Sequence, residues 1–499
     1  MAVGAVAPVP RLTDPAPMER YHARWILAED AVHADATLVV DGGLIVGIEP
    51  GAHPKARALG EVALVPGLVN AHSHAFQRIL RGRTEFLHRD RAAEDFWSWR
   101  TLMYRAALML DADGLEAVSR MAFLEMALAG TTSVGEFHYL QHRPDGSACD
   151  DDPIADRVIR AARSVGLRIA LLRTAYQRNS FNKAATDGQR RFVEPDVATY
   201  LGRFEALWAR WAGEPCVTVA LAPHSIRAVP ADWLRAIAEK GAELEIPLHI
   251  HACEQRVEVA EAREEYGKEP IAALDGLGLL GPRTTLVHAT HLEDDAVAII
   301  AARGCTVCAC PTTEANLGDG FLPVGELLAA GVPIALGSDS QALIDPWQEA
   351  RRVEEHERLR TERRGVVARH HGRWFPDFTG ARLGVSDLLW PMATEHGARA
   401  LGLPVGRLGP GRPADFVAVD LNDVTLAGAE RDDLRAHLVF ATTPRAVRHV
   451  WIGGQQVIED GRHADQAVIV HRFREVMAWL GQVGEDADRL SRGEPGGTG

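Results

Sequence analysis

The sequence predicts an α/β fold: a (β/α)8 barrel of the TIM type with a small β-sandwich built from both terminal segments. Three observations predict it. Eight short apolar runs recur between residues 63 and 340, and stretches with helical spacing of apolar residues lie between them. Histidines and carboxylates stand at the ends of these runs, and β-rich segments occur near both ends of the chain.

The terminal segments predict the sandwich and its flanks. The Ala- and Pro-rich start contains no continuous apolar stretch, so we expect an arm and not a signal peptide. Alternation around Asp41-Gly42-Gly43 indicates a hairpin. The predicted segments are, in chain order, a flexible arm (1–20), the first part of the sandwich (21–66), the barrel (67–403), the second part of the sandwich (404–466), a C-terminal helix (467–490) and a disordered tail (491–499).

The barrel prediction rests on eight β-then-α units. Each run is short enough for one buried strand, and segments such as 115–130 and 324–331 have helical spacing and a closing glycine. The predicted strands are ALVPGLVNAHSH (63–74), GTTSVGEFHY (130–139), LRIALLRTAY (167–176), VTVALAPHS (217–225), IPLHIHACE (246–254), TTLVHATH (284–291), TVCACPTTE (306–314) and VPIALGSDS (332–340).

Composition narrows the function. The net charge of −14 argues against nucleic acid or an anionic membrane as a partner, and no apolar run is long enough to span a bilayer. Six cysteines in 499 residues do not form a disulfide framework, so we expect a reducing, cytoplasmic location. The cluster Cys305, Cys308 and Cys310 has the spacing of half a zinc site but lacks a matching pair, which favours small core residues. Histidines 370 and 371 are expected on a solvated helical face.

The ends of the predicted strands point to a metal centre. His72 and His74 are two residues apart on a strand, so both imidazoles point to the same side. With His251 and Asp339 from later strand ends they make three nitrogen ligands and one carboxylate, a set that suits one Zn²⁺, or Fe²⁺, and leaves room for water. His249 alternates inward like His251, and spacing alone does not decide between them.

Two further strand-end residues could move protons. Glu254 follows a candidate ligand by three residues, and His288 directly follows an apolar run, although His291 is an alternative to it. A water molecule activated by a metal needs such groups to pass protons to the leaving group. The pattern therefore predicts hydrolysis.

Together these residues resemble the amidohydrolase superfamily, and within it the chain is similar, from about residue 21 to 475, to the formimidoylglutamate deiminases. The segments that carry the similarity are NAHSHAFQR (70–78), FWSWRTLMYR (96–105), GEFHYLQHRPDG (135–146), HSIRAV (224–229), HIHACEQ (249–255), LVHATH (286–291), TEANLGDG (313–320) and GRLGPGRPADFVAVD (406–420). The resemblance implies a single metal, because the fourth strand ends in APHSIR without the lysine that binuclear relatives carry.

The resemblance also implies the reaction. Metal-bound hydroxide would attack the formimino carbon of N-formimino-L-glutamate, giving N-formyl-L-glutamate and ammonia in histidine degradation. His288 and Asp339 would take up or orient the water proton, with the first base left open between them. Glu254 would deliver a proton to the departing nitrogen.

The implied partner is a small acidic substrate. By resemblance, the residues that bind it are Gln77, Arg100, Tyr139, His224 and Arg227. Arginine's planar fork suits the two carboxylates of this substrate. A homodimer is common among such enzymes.

Two other hypotheses about the function remain open. One is another deaminase of the superfamily, acting on a guanine-, cytosine- or adenosine-like ring or a guanidino compound; the other is a barrel that serves as a scaffold. The arginine set favours an acidic substrate over a heterocycle, and the complete ligand set argues against a scaffold. Cys253 stands where the resemblance suggests a small apolar residue, so it is either a volume substitute or a thiol-sensitive position.

Overall fold

The structure is a computed structural model and describes residues 18–29, 31–86, 95–151, 153–375 and 382–491. Its strands are β1 (Glu19–Leu27), β2 (Val32–Asp41), β3 (Leu44–Pro50), β4 (Arg57–Ala58), β5 (Val62–Pro66), β6 (Leu68–Ser73), β7 (Thr131–His138), β8 (Arg168–Ala175), β9 (Arg178–Ser180), β10 (Lys183–Ala184), β11 (Val217–Pro223), β12 (Leu248–Ala252), β13 (Thr284–His288), β14 (Thr306–Ala309), β15 (Ile334–Leu336), β16 (Phe416–Asp420), β17 (Val447–Ile452) and β18 (Gln455–Ile458).

Helices fill most of the connections between these strands. The α-helices are α1 (Phe96–Met109), α2 (Ala112–Leu128), α3 (Ile154–Val165), α4 (Val197–Arg210), α5 (Ala231–Leu244), α6 (Arg256–Tyr266), α7 (Pro270–Gly276), α8 (Asp294–Arg303), α9 (Pro311–Leu317), α10 (Val324–Ala330), α11 (Pro346–Thr361), α12 (His371–Trp374), α13 (Val385–Ala393), α14 (Glu395–Ala400), α15 (Leu434–Phe440) and α16 (Gln466–Ser491). Short 3₁₀ helices cover Ala75–Leu80, Asp187–Gln189, Val367–His370, Arg431–Asp433 and Pro444–Ala446.

Eight parallel strands form the predicted barrel. They are hydrogen-bonded in the order β15-β14-β13-β12-β11-β8-β7-β6, and every neighbouring pair is parallel. A parallel bridge between Ser73 and Asp339 joins the two outer strands at their carboxyl ends. There the amide of His74 donates to the carbonyl of Asp339 at 3.0 Å, and that of Asp339 donates to the carbonyl of His72 at 3.0 Å. The barrel prediction is confirmed.

The first predicted run is two strands and not one. β5 pairs with β1 and β16 of the terminal sheet, whereas β6 pairs with β7 in the barrel. Gly67 separates them, and a Cβ atom there would lie 2.2 Å from Oγ1 of Thr132. Only glycine lets the two sheets approach so closely at the point where the chain passes between them.

The two terminal segments together form one β module, as predicted. Its strand order is β18-β17-β16-β5-β1-β2-β3, and β4 pairs with β1. It is a single eight-stranded sheet rather than two separate ones, and it encloses a small core in which the rings of Phe416 and Trp451 stack with centroids 4.5 Å apart. The predicted hairpin joins β2 to β3, with positive φ at Gly42 and Gly43.

The segment ends differ slightly from the predicted boundaries. β1 begins at Glu19, two residues inside the predicted arm, and residues 1–17 lie outside the described residues. Helix α16 ends at Ser491, so residues 492–499 of the predicted tail also lie outside them. None of the helices in the described ranges has the length and hydropathy needed to cross a membrane.

The prediction of a solvated face for the two neighbouring histidines is wrong. His370 is half-buried and His371 is buried. The ring of His371 packs on Phe375, and its Nε2 lies 3.6 Å from the carboxylate of Asp387 on α13. The solvated face was predicted because the arginines next to this pair give the segment a charged composition.

Candidate active site

The four predicted metal ligands meet at the carboxyl ends of the barrel strands. His72 lies near the end of β6 and His74 directly follows that strand. His251 lies near the end of β12, and Asp339 follows β15. One ligand atom from each lies within 4.8 Å of all the others. Nε2 of His72 is 3.2 Å from Nε2 of His74 and 3.1 Å from Nε2 of His251. Oδ1 of Asp339 is 3.3 Å from Nε2 of His72 and 3.1 Å from Nε2 of His74.

Backbone carbonyls orient two of the three imidazoles. Nδ1 of His74 lies 2.8 Å from the carbonyl oxygen of Phe137, and Nδ1 of His251 lies 2.9 Å from that of His224. A ring nitrogen facing a carbonyl must carry the proton, so Nε2 of a neutral ring is left with its lone pair. Both lone pairs point to the centre of the cluster.

The charge state of the cluster also suits a cation. Burial lowers the pKa of His72 to about 3 and the pKa of His251 well below its ordinary value, so these rings are neutral. Burial acts to raise the pKa of Asp339, but contacts with His72 and His74 outweigh it and hold the pKa well below its ordinary value. Converging neutral nitrogens with one carboxylate are a donor set that fits Zn²⁺ or Fe²⁺.

Unusual backbone conformations hold these strand ends. Cys253, His288, Ala289 and Asp339 all have positive φ, between 43° and 70°. Non-glycine residues in this region cost on the order of 1 kcal/mol each or more, and such strain persists only where the surroundings fix it. Each of these residues lies at or just after the carboxyl end of a barrel strand.

The structure resolves both ambiguities between neighbouring histidines. His249 lies deeper along β12 and its Nε2 contacts the carbonyl of Ala400 at 2.8 Å, away from the ligand cluster. His288 ends β13 and lies in the site, whereas His291 is half-buried beside Gly320.

The predicted proton-transfer groups lie beside the cluster. Nε2 of His288 is 3.7 Å from Oε1 of Glu254 and 3.8 Å from Oδ2 of Asp339. Burial raises the pKa of Glu254, which the charge of His288 opposes. Burial acts to lower the pKa of His288, but the surrounding carboxylates outweigh it and the pKa lies well above its ordinary value. The two groups can therefore hold and exchange a proton at this position.

All five predicted substrate-binding residues line one cavity with these groups. Its walls are formed by His74, Gln77, Phe96, Trp99, Arg100, Met103, Tyr104, Tyr139, Tyr176, His224, Arg227, His251, Glu254, His288, Leu317 and Asp339. The cavity thus joins the ligand cluster, the proton-transfer groups and two guanidinium groups.

The two arginines of this cavity are buried cations. Arg100 is 8% exposed and Arg227 is 3% exposed. Among the described residues neither forms an ion pair with a carboxylate. Arg100 contacts the hydroxyls of Tyr104 and Tyr176 and donates to Oδ1 of Asn179 at 3.0 Å. Arg227 donates to the carbonyl of Asn179 at 2.9 Å. Buried charges are normally paired, so this arrangement suits an anionic ligand.

Amide and ring groups complete the cavity. Nε2 of Gln77 donates to the hydroxyl of Tyr139 at 2.8 Å, and its buried Oε1 has no hydrogen-bond partner among the described residues. Burial lowers the pKa of His224 well below its ordinary value, so this ring is neutral. A free amide oxygen facing the cavity can accept a hydrogen bond from an N–H group of a ligand.

Sequence reasoning missed several residues around the site. Tyr104 is one helical turn after Arg100 on α1, and that spacing could have revealed it. Tyr176 directly follows β8, and residues at the ends of barrel strands are the ones expected to be functional. Glu314 and Asp319 lie in the segment TEANLGDG (313–320). From sequence alone, acidic residues in or near a helix are expected on the protein surface. Burial, followed by the charge of Glu254, raises the pKa of Asp319 to about 9.

The six cysteines are free thiols, and five of them are buried. Cys305, Cys308 and Cys310 are fully buried, as expected for core residues, although Cys310 also lies within 4.8 Å of ligand atoms of His288 and Asp339. Burial raises the pKa of Cys253 well above its ordinary value. A protonated, buried thiol is a volume substitute and not a reactive group.

Comparison with known proteins gives the chain's relatives. Residues 63–457 match the model of the amidohydrolase family. The chain is 36% identical over 443 residues to a formimidoylglutamate deiminase from Pseudomonas aeruginosa, covering 88% of this chain and 94% of that protein. It is 28% identical over 472 residues to a 5-methylthioadenosine/S-adenosylhomocysteine deaminase from Nitratidesulfovibrio vulgaris, covering 92% and 96%. It is 30% identical over 468 residues to an 8-oxoguanine deaminase from Pseudomonas aeruginosa, covering 90% and 96%.

Solved structures share the fold. An amidohydrolase from Brucella melitensis superimposes with a TM-score of 0.84 at 34% identity, covering 93% of this chain and 99% of that chain. An adenosine deaminase from Xanthomonas campestris with bound zinc gives a TM-score of 0.74 at 26% identity, covering 94% and 100%.

Proposed function

This chain belongs to the amidohydrolase family and is a deaminase that hydrolyses C–N bonds, and we propose that its substrate is N-formimino-L-glutamate. One observation carries the proposal: two buried guanidinium groups, Arg100 and Arg227, face the cavity without an acidic partner among the described residues. The proposed substrate brings two carboxylates, which would neutralise both. The 36% identity with a formimidoylglutamate deiminase supports the same substrate.

We propose one divalent cation per chain, Zn²⁺ or alternatively Fe²⁺, held by His72, His74, His251 and Asp339. Such a cation, when bound, supplies a Lewis acid that lowers the pKa of water at the site. The protein's own part is to present neutral imidazole nitrogens and one carboxylate, already within 4.8 Å of one another, with their ring orientation set by backbone carbonyls.

The proton-transfer groups would act in sequence. The attacking water forms a bond to the formimino carbon, and His288 or Asp339 accepts its proton. Glu254, 3.7 Å from Nε2 of His288, delivers a proton to the imino nitrogen. The hydroxyl of the resulting intermediate then gives up its proton, and Glu254 passes a second proton to the same nitrogen. The bond between that nitrogen and the carbon breaks as the formyl C=O forms, so that ammonia leaves and N-formyl-L-glutamate remains. Proton transfer by positioned groups of this kind typically contributes about 10²- to 10⁴-fold to the rate.

Substrate binding would use the remaining cavity residues. Arg100 and Arg227 bind the carboxylates, and the free oxygen of Gln77 accepts a hydrogen bond from a substrate N–H. Tyr139 and His224 complete the wall. We also propose that the enzyme works in histidine degradation. We propose a cytoplasmic location, because its six free cysteines fit a reducing compartment.

Ammonia release tests the proposal. Purified enzyme of known metal content is assayed with N-formimino-L-glutamate, 5-methylthioadenosine, S-adenosylhomocysteine and 8-oxoguanine. We expect ammonia from the first compound and a value of kcat/KM at least about 10³-fold lower for each purine compound. 5-Methylthioadenosine and 8-oxoguanine carry no carboxylate and S-adenosylhomocysteine carries only one, so each leaves at least one arginine unpaired. A purine as the better substrate would refute the proposal and leave the family assignment intact.

A further inference from the structure

The second ring nitrogen of His288 faces a carboxylate that the reaction described above does not use. Nδ1 of His288 lies 3.4 Å from Oε1 of Glu314, while Nε2 faces Glu254 and Asp339. Both side chains are buried, at 1% exposure for His288 and 2% for Glu314. Glu314 is outside the set of residues that line the cavity, so its side chain contacts the imidazole of His288 from outside the cavity wall.

The local fold holds this carboxylate in place. Helix α9 begins directly after Cys310, and its residue Glu314 turns back so that Oε1 accepts a hydrogen bond from the amide of Cys310 at 2.8 Å. This contact caps the start of the helix, which is by itself a structural role. The same oxygen also faces His288, so the cap and the contact with the imidazole share one atom.

We propose that Glu314 is a positioning residue for His288, which selects the ring tautomer that the deamination needs. When Nε2 has passed a proton to Glu254, the imidazole is neutral and carries one N–H. That proton stays on the nitrogen within hydrogen-bond distance of a carboxylate, which is Nδ1, because Nδ1 is 3.4 Å from Glu314 whereas Nε2 is 3.7 Å from Glu254. With the proton on Nδ1, Nε2 has a free lone pair toward Glu254 and Asp339 and can accept a proton from water. With the other tautomer, Nε2–H would point into the cavity and could accept nothing. The kinetic part of this inference rests on the proposed function.

The first test compares two buried glutamates that cap the same helix. Glu349 accepts hydrogen bonds from the backbone amide and hydroxyl of Thr312 in α9 and makes no hydrogen bond or ion pair with His288 among the described residues. We expect Glu314→Gln to lower kcat for N-formimino-L-glutamate by about 10-fold or more, with KM and metal content changed by less than about threefold. Glu349→Gln should change kcat by less than about twofold. Equal effects of the two variants would overturn the proposal.

A double-mutant cycle then asks whether Glu314 acts through His288. In a His288→Asn background, Glu314→Gln should change kcat by less than about twofold, because the imidazole that it positions is gone. A further loss of about 10-fold in that background would mean that Glu314 acts by another route, and the proposal would fail.

A spectroscopic measurement needs no substrate. The metal-loaded enzyme is labelled with ¹⁵N-histidine, and the ring signals of His288 are identified by their loss in His288→Asn. We expect a proton on Nδ1 in the unsubstituted enzyme and a shift of proton population toward Nε2 in Glu314→Gln, with no change in Glu349→Gln. Identical His288 signals in the unsubstituted enzyme and Glu314→Gln overturn the proposal. If N-formimino-L-glutamate releases no ammonia, the proposed function fails, while this result still decides the role of Glu314.

Discussion

The imidazole of His74 connects the parts of the ligand cluster. Its Nε2 lies 3.2 Å from the nitrogen of His72 and 3.1 Å from Asp339, and its Nδ1 is held by a carbonyl. We expect His74→Ala to lose bound metal and activity together, because three donors remain and one of the fixed lone pairs is gone. Metal analysis and ammonia release on the same sample check this. His291→Ala, a histidine outside the cluster, should keep both; a metal-free active His74→Ala enzyme would contradict the assignment.

Glu254 is placed to move a proton and not to hold the cation. It is absent from the group of four ligand atoms and lies beside His288. Glu254→Gln should therefore keep the metal while kcat falls by about 100-fold or more, as for a lost proton shuttle. The control is Glu264→Gln, an exposed residue on α6. Normal turnover of Glu254→Gln would show that its role is wrongly assigned.

Arg227 tests the binding of the acidic substrate. Its guanidinium is buried and without an acidic partner in the described part of the chain. Losing one buried charged contact costs about 2–5 kcal/mol of binding, so Arg227→Ala should raise KM about 30-fold or more with a smaller change in kcat. Steady-state kinetics measure both constants, with the exposed Arg235→Ala as the control. An unchanged KM would remove the carboxylate-binding role.

Single residues also show where sequence reasoning stops. Alternation places His249 and His251 on the same side of β12, but it does not say how deep each one lies. His249 lies farther from the carboxyl end of β12, and its Nε2 contacts the carbonyl of Ala400. His251 lies near the carboxyl end of the strand, where the other ligands are. Depth depends on where the strand begins relative to its neighbours, which is a property of the whole sheet. Glu314 was missed for a related reason: its burial depends on packing and not on local pattern.

At the scale of elements, the turn after β12 is held by the first turn of α6. Oε1 of Glu258 accepts a hydrogen bond from the amide of Cys253 at 3.0 Å, and φ of Cys253 is +53°. The side chain is buried, and burial raises its pKa to about 7. This carboxyl therefore binds its proton more tightly in the folded chain than in the unfolded chain.

The pH dependence of this carboxyl can be tested by Glu258→Gln. Because its pKa is raised on folding, its contribution to stability is full below the unfolded value and is lost as pH rises through about 7. The amide keeps the hydrogen bond without ionising. We expect the variant to gain about 1–3 kcal/mol relative to the unsubstituted enzyme between pH 5 and about pH 8, measured by urea unfolding. The exposed Glu264→Gln should show no such trend, and a flat difference for Glu258→Gln would contradict the prediction.

Whole elements were more predictable than their ends. All eight apolar runs contain a barrel strand, because short apolar-rich runs that end in polar residues are typical of strands buried on both faces. The split at Gly67 was not predictable from the apolar run alone, since Val62–Pro66 and Leu68–Ser73 are equally buried. Which sheet a strand joins is decided by its partners, and those are distant in sequence.

At the scale of the molecule, two distant parts of the chain complete one sheet. β5 and β16 pair in antiparallel register, from Pro66 with Phe416 to Val62 with Asp420. Similar alternation near both ends predicted this module, but not that it would be one continuous sheet. Because the barrel lies between the two parts in sequence, pairing of β5 with β16 closes a loop that contains the whole barrel, and a folded barrel lowers the entropy cost of closing it.

One largely buried ion pair joins the sheet to the barrel. Arg168, the first residue of β8, donates to both carboxylate oxygens of Asp415 at 3.0 Å, and the amide of Gly453 donates to the same carboxylate at 2.7 Å. Asp415→Asn leaves Arg168 buried without its charge partner, which should lower the free energy of unfolding by about 3–5 kcal/mol. The value of kcat should stay within about twofold, because Arg168 lies at the opposite end of β8 from the cavity residue Tyr176. Asp460→Asn, which breaks the exposed pair with Arg448, should cost less than about 1 kcal/mol. Equal stability of the two variants would mean that the packing of the sheet, and not this ion pair, holds it on the barrel.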